Sequence, residues 1–142
     1  MRALPLAFTL TICAVSSLGT AADAQANLEN VSIRTEALTP GIAVLFGAGG
    51  NIAVSHGPDG TVVIDDQFAQ LSPRIQAAIA ALGATPAKFL INTHWHGDHT
   101  GGNANFGQAG AIIMAQDHVR DRLSTDQSRD GESSPPSPAA AL

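Results

Sequence analysis

Thr93-His94-Trp95-His96-Gly97-Asp98-His99-Thr100-Gly101-Gly102 sets three imidazoles and one carboxylate at spacings i, i+2, i+4 and i+5, between the apolar run Phe89-Leu90-Ile91 and paired glycines. Three of the chain's five histidines fall in this window, which chance scatter in a polar loop does not readily produce. Neutral imidazole nitrogen and carboxylate oxygen are donors for Zn²⁺ and similar first-row metals, whereas Ca²⁺ and Mg²⁺ favour all-oxygen sets. If residues 88–93 form a strand, His94 and His96 share one side of its extended continuation and Trp95 points to the other. Gly97 then permits a sharp turn that returns Asp98 and His99 to the same pocket. Four donors at this density suit two neighbouring ions, and a two-metal hydrolytic site is the chemistry they imply.

Upstream of this stretch, residues 31–37, 42–46, 52–55 and 61–65 read as strands of an antiparallel meander. Thr39-Pro40-Gly41, Gly47-Ala48-Gly49-Gly50 and His56-Gly57-Pro58-Asp59-Gly60 supply the turns between them. Ser72-Pro73 opens a helix with Ser72 as N-cap, Ile75, Ile79 and Leu82 form its buried stripe, and Gly83 ends it. Residues 111–115 read as another strand, and 117–123 as a short helix capped by Asp117. Meander first and strand–helix alternation later predict an α/β fold.

The pattern H-x-H-x-D-H followed by T-G-G resembles the signature of the metallo-β-lactamase-fold hydrolase superfamily. Thr61-Val62-Val63-Ile64-Asp65-Asp66 is similar to that family's early strand ending in an acidic residue, so the likeness runs over residues 31–123. It implies the N-terminal half of an αββα metallo-β-lactamase sandwich, with His94 and His96 on one zinc ion and Asp98 and His99 on a second. It also implies Asp98 as the catalytic residue that orients an attacking hydroxide, and a small-molecule substrate with an amide or ester bond of β-lactam or lactone type. Asp65 either caps its strand or supports a metal ligand. The family takes further ligands from a second half, whereas after His99 this sequence offers only His118 and scattered acids. One half alone buries too little core, so the expectation is a piece of a longer hydrolase, with a catalytically incomplete metal-binding fragment as the alternative. An iron redox protein of the same fold would bring a flavin-binding region, which the sequence lacks.

The N-terminus reads as a secretory signal peptide over residues 1–24: Arg2, an apolar stretch from Ala3 to Leu18, and Ala22-Asp23-Ala24 at the cleavage site. The stretch is short and interrupted for a transmembrane span, so no span is expected after cleavage. Cys13, the chain's one cysteine, leaves with this segment, and Ile12 before it is not the small residue a lipid anchor takes. Cleavage predicts a periplasmic or secreted bacterial protein with a metallo-β-lactamase part over 25–124 and a Pro/Ser-rich linker or end over 125–142. A net charge of −5 with seven Lys and Arg among 142 residues argues against a nucleic-acid partner.

The remaining polar residues have blander readings. His56 and His118 are expected at the surface, and Asp66 as a solvated turn acid. Trp95 either packs beneath the site or lines the cleft. Residues 47–50 lack the lysine and hydroxyl residue of a phosphate loop and read as a flexible hairpin tip, while Gly101 and Gly102 permit a tight turn.

Overall fold

The computed structural model describes residues 28–125, 127–129 and 132–134. The expected signal peptide over 1–24 and most of the expected linker lie outside the described residues.

One six-stranded sheet carries the fold: β1 (Arg34–Thr39), β2 (Ile42–Phe46), β3 (Ile52–Gly57), β4 (Gly60–Ile64), β5 (Ala87–Asn92) and β6 (Ile112–Ala115), in that spatial order. β1 to β4 form the expected antiparallel meander. Its connections turn where the chain can take positive φ, at Gly41 (φ 82°) and Gly60 (φ 117°). The pairings β4–β5 and β5–β6 are parallel. Parallel neighbours need a crossover, supplied first by α1 (Ser72–Ala81) and then by α2 (Gly97–Thr100) and α3 (Asn103–Gln108). Helix α4 (Asp117–Leu123) follows β6.

Burial alternates along the strands and divides the sheet into two faces. Leu45, Val54, Val63, Leu90 and Ile113 point to one, where Ile75 and Ile79 of α1 and Phe106 of α3 complete the core. On the other, Val62, Phe89 and Ile112 form one cross-strand row and Ile64, Ile91 and Met114 the next. Among the described residues this second face is open, with Ile91 36% and Met114 46% exposed. A sheet with helices on one side and an apolar second side is one αβ layer of a sandwich, as the sequence predicts.

Two helix starts differ from expectation. Ser72 is not an N-cap: it has helical angles (φ −51°, ψ −42°) and is buried, because a 3₁₀ turn over Ala69–Leu71 runs directly into α1. The turn's own bond, Leu71 N to Phe68 O at 2.9 Å, leads the chain into the helix without a side-chain cap. At α4 the cap is Gln116 and not Asp117, its side chain accepting from His118 N at 2.7 Å. Where the sequence predicts a turn at Gly97 the chain forms α2, and α3 has no counterpart among the expected elements; at four and six residues both are too short to show an apolar period. Within the expected linker, β7 (Gln127–Arg129) and β8 (Glu132–Ser134) pair as a separate two-stranded antiparallel ribbon. No helix among the described residues is long and apolar enough to cross a membrane.

Candidate metal centre

The His/Asp cluster sits where β4 and β5 end, so the parallel pairing sets the chain leaving β4 against the chain leaving β5. Parallel strands commonly present ligand sites at their carboxyl ends, because the loops there open outward from a rigid support. Gly97 takes no left-handed turn; it is the first residue of α2, capped by His96 in extended conformation (φ −66°, ψ 144°). The short helix therefore reverses the chain, with His99 N and Thr100 N both bonded to His96 O at 2.9 and 3.1 Å. This returns His99 to His94, with ring centroids 4.0 Å apart, while His94 and His96 meet edge to face at 4.7 Å. Asp98 Oδ2 lies 3.5 Å from His99 Nε2. The four expected donors thus form a continuous run: His96, His94, His99, Asp98.

Beneath them, Asp65 is buried and its carboxylate is fully engaged. Oδ1 accepts from Thr93 N at 2.8 Å, and Oδ2 accepts from Thr93 Oγ1 and His99 Nδ1, each at 2.7 Å. The Thr93 hydroxyl uses its one O–H to donate to Asp65, so at 3.0 Å from His94 Nδ1 it is the acceptor and the ring is the donor. One carboxylate therefore assigns the same tautomer to two imidazoles, directly to His99 and through Thr93 to His94. In the neutral form of each ring the lone pair then lies at Nε2, the atom a metal would take. Asp65, His94 and His99 each place a donor atom within 4.8 Å of the others. We assign Asp65 to support and not to ligation, because both oxygens are already occupied. His94 and His99, with His96 and Asp98 beside them, offer the nitrogen and oxygen donors that a first-row divalent metal takes.

Asp65 opens a run of three buried polar residues, each held by a different element. Asp65 (φ 63°) and Gln67 (φ 56°) both take the left-handed conformation, which disfavours any side chain beyond glycine. Asp66 was expected as a solvated acid; it is fully buried, its N–H bonded to His99 O at 3.0 Å and its Oδ1 accepting from Gly102 N at 2.9 Å. Gly101 and Gly102 make this approach possible. A Cβ on Gly101 would lie 2.8 Å from Gln67 O, and one on Gly102 would lie 2.9 Å from Ser72 Oγ. Asn92 and Asn103, also buried, exchange reciprocal amide bonds at 3.0 and 2.8 Å that join the end of β5 to the start of α3.

Asp66 Oδ2 has no hydrogen-bond partner among the described residues. Burial pushes the Asp66 carboxyl up to about 8 from its usual 3.8; the Gly102 N–H pulls against this, and the charge of Asp65 adds to it. Between those values the folded chain keeps a proton that the unfolded chain has lost, so this group's stabilisation is full at low pH and is lost as pH rises toward 8. We expect metal-free Asp66→Asn protein to show a shallower loss of stability from about pH 5 to about pH 8 than the parent. Urea denaturation in the presence of a chelator measures it, and identical pH slopes would contradict the assignment.

The other singled-out residues fall as follows. Trp95 packs, as Ala115 does, against the Val119–Leu123 cluster, with the Arg122 guanidinium 5.0 Å from its ring, so it ties the motif to α4. His118 is exposed, and His56 lies half-buried within β3. The tip over residues 47–50 packs onto Asp98 and His99: Gly50 N bonds Asp98 O at 3.4 Å, and a Cβ on Gly50 would strike the His99 imidazole. Thr93, Gln67 and the Asn92–Asn103 pair were missed by sequence reading. Their signal, polar residues at the ends of apolar strands, is also that of ordinary surface turns.

The family model of the metallo-β-lactamase superfamily matches residues 45–135. No curated protein matches the chain. Among solved structures, a subclass B3 metallo-β-lactamase from a soil metagenome library, MEM-A1, is 25% identical with a TM-score of 0.68, over 78% of this chain and 45% of its own. A B3 metallo-β-lactamase with an active-site glutamic acid is 26% identical with a TM-score of 0.66, over 78% and 43%. The B3 enzyme BJP-1 of Bradyrhizobium japonicum is 26% identical with a TM-score of 0.61, over 70% and 39%. This chain spans less than half the length of each of these structures. With the site at the strand ends and the matched model covering most of the described residues, the chain belongs to the metallo-β-lactamase superfamily.

Proposed function

We propose that this chain supplies the metal-holding half of a secreted zinc-dependent hydrolase that cleaves an amide or ester bond of β-lactam or lactone type. The observation that carries the reading is the tautomer control exerted by Asp65, which directs the Nε2 lone pairs of His94 and His99 for coordination. His94 and His96 would hold one ion, and Asp98 and His99 a second. Zinc, when bound, lowers the pKa of water from 15.7 to about 7 and polarises a carbonyl. Asp98, half-buried at the start of α2, would orient the attacking water and receive its proton. Asp65 and Thr93 hold the His94 and His99 rings in orientation, and Trp95 ties the loop to α4.

The β-lactam class rests on the names of the similar structures, all B3 metallo-β-lactamases. Export rests on the signal-like stretch ending Ala22-Asp23-Ala24, and leads to the periplasm or exterior. A second reading is a metal-binding fragment without turnover, favoured by the convergence of only three candidate donor residues, Asp65, His94 and His99, among the described residues.

Zinc-loaded protein assayed on a chromogenic β-lactam and a chromogenic lactone separates the two. Hydrolysis abolished by chelation, restored by zinc and lost in Asp98→Asn supports the hydrolase. Stoichiometric zinc without turnover of either substrate supports the fragment.

A further inference from the structure

We propose that Gln67 is a positioning residue, whose side-chain amide clamps the β2–β3 tip onto Asp98 and His99 and thereby holds these two donors ready for a metal. The inference rests on the reading of Asp98 and His99 as ligands. It stands on three observations independent of the motif.

First, Gln67 is 1% exposed and both ends of its amide bond the tip: Oε1 accepts from Ala48 N at 3.2 Å, and Nε2 donates to Gly50 O. Second, Gln67 holds a left-handed backbone (φ 56°) that residues other than glycine rarely adopt, so its placement is set by its contacts against local preference. Third, the tip has no room to spare. A Cβ on Gly49 would lie 2.6 Å from Asp98 Cβ, one on Gly50 would strike the His99 ring, and one on Gly47 would lie 2.7 Å from Ile33 Cδ1. Gly50 N also bonds Asp98 O at 3.4 Å. The tip is thus a lid of bare backbone pressed on two donors, and Gln67 is its side-chain fastening.

The clamp needs one acceptor and one donor at the end of a flexible three-carbon reach, and glutamine provides both. Ionised glutamate, of the same shape, provides acceptors only and would face the Gly50 carbonyl with negative charge. Gln67→Glu should therefore keep the Ala48 bond, lose the Gly50 bond and free the tip.

The experiment pairs zinc titration of the 142-residue chain against a chromophoric chelator with amide hydrogen exchange of Ala48 and Gly50 by NMR. In Gln67→Glu we expect Gly50 exchange to accelerate about tenfold or more. Zinc affinity at the Asp98–His99 position should fall about 10- to 100-fold, the usual effect of losing a residue that orients a ligand, with the His94–His96 ion less affected. Unchanged Gly50 exchange and unchanged affinity would overturn the proposal. Accelerated exchange with unchanged affinity would overturn the link to the donors. If the wild-type chain binds no zinc, the metal reading fails, while the exchange arm still decides whether Gln67 fastens the tip. Should Gln67→Glu fail to fold, Gly50→Ala tests the same lid from its other side: the added methyl must displace the tip or the His99 ring, and unchanged zinc affinity in that variant contradicts the proposal.

Discussion

Replacing His99 with alanine lowers the affinity of the chain for zinc by about 100-fold or more, the largest loss of any single substitution outside His94. Loss of a residue that merely orients a ligand costs about 10- to 100-fold, and His99 does more than that. It offers its Nε2 as a donor, and its Nδ1 is one of the partners that satisfy the buried Asp65 carboxylate. His94→Ala removes the adjacent donor but leaves Asp65 bonded to Thr93 and His99, so its loss is confined to the metal. His118→Ala, at an exposed site, is the control and leaves affinity unchanged. Competition with a chromophoric chelator reads all three. Equal affinities across the set would remove the imidazoles from the site.

Phe106→Ala destabilises the metal-free fold by about 3–5 kcal/mol, the range for truncating a buried aromatic. Phe106 heads the fully buried side chains and is 1% exposed, packed between the sheet and α1. Its removal leaves a cavity that α3, six residues long, can close only by shifting the Asn103 amide from Asn92. Met114→Ala is the matched comparison: on the open face and 46% exposed, it should change stability by less than about 0.5 kcal/mol. Chemical denaturation of both variants tests the two-faced sheet. Similar losses would mean that the open face is packed in solution.

That His94, His96, Asp98 and His99 lie close together was legible in the sequence because they fall in one short window, where spacing alone brings side chains near one another. The strands were legible because glycine and proline punctuate them and apolar residues fill them. Their bounds moved by a few residues: β1 starts at Arg34 and not residue 31, since residues 31–33 pack without a strand partner in the register. The support under the donors was not legible. Asp65 meets Thr93 and His99 across 28 and 34 residues of sequence, Asp66 meets Gly102 across 36, and Gln67 meets the tip across 17 and 19. A polar run after a strand is ordinarily a solvated turn, and only the parallel pairing of β4 with β5 buries this one. Ser72 misled for a related reason: its residue type suits an N-cap, but the 3₁₀ turn before it moved the start of the helix and turned its hydroxyl inward beside Gly102.

The resulting account has a carboxylate at the end of β4 setting imidazoles at the end of β5, with a glycine tip closed over them. Zinc K-edge X-ray absorption on the zinc-loaded chain, after removal of free metal, tests it most directly. The account predicts retained zinc with a nitrogen/oxygen shell at about 2.0–2.1 Å and the multiple-scattering signature of imidazole. Zinc lost on removal of free metal, or a shell showing no imidazole, would contradict it.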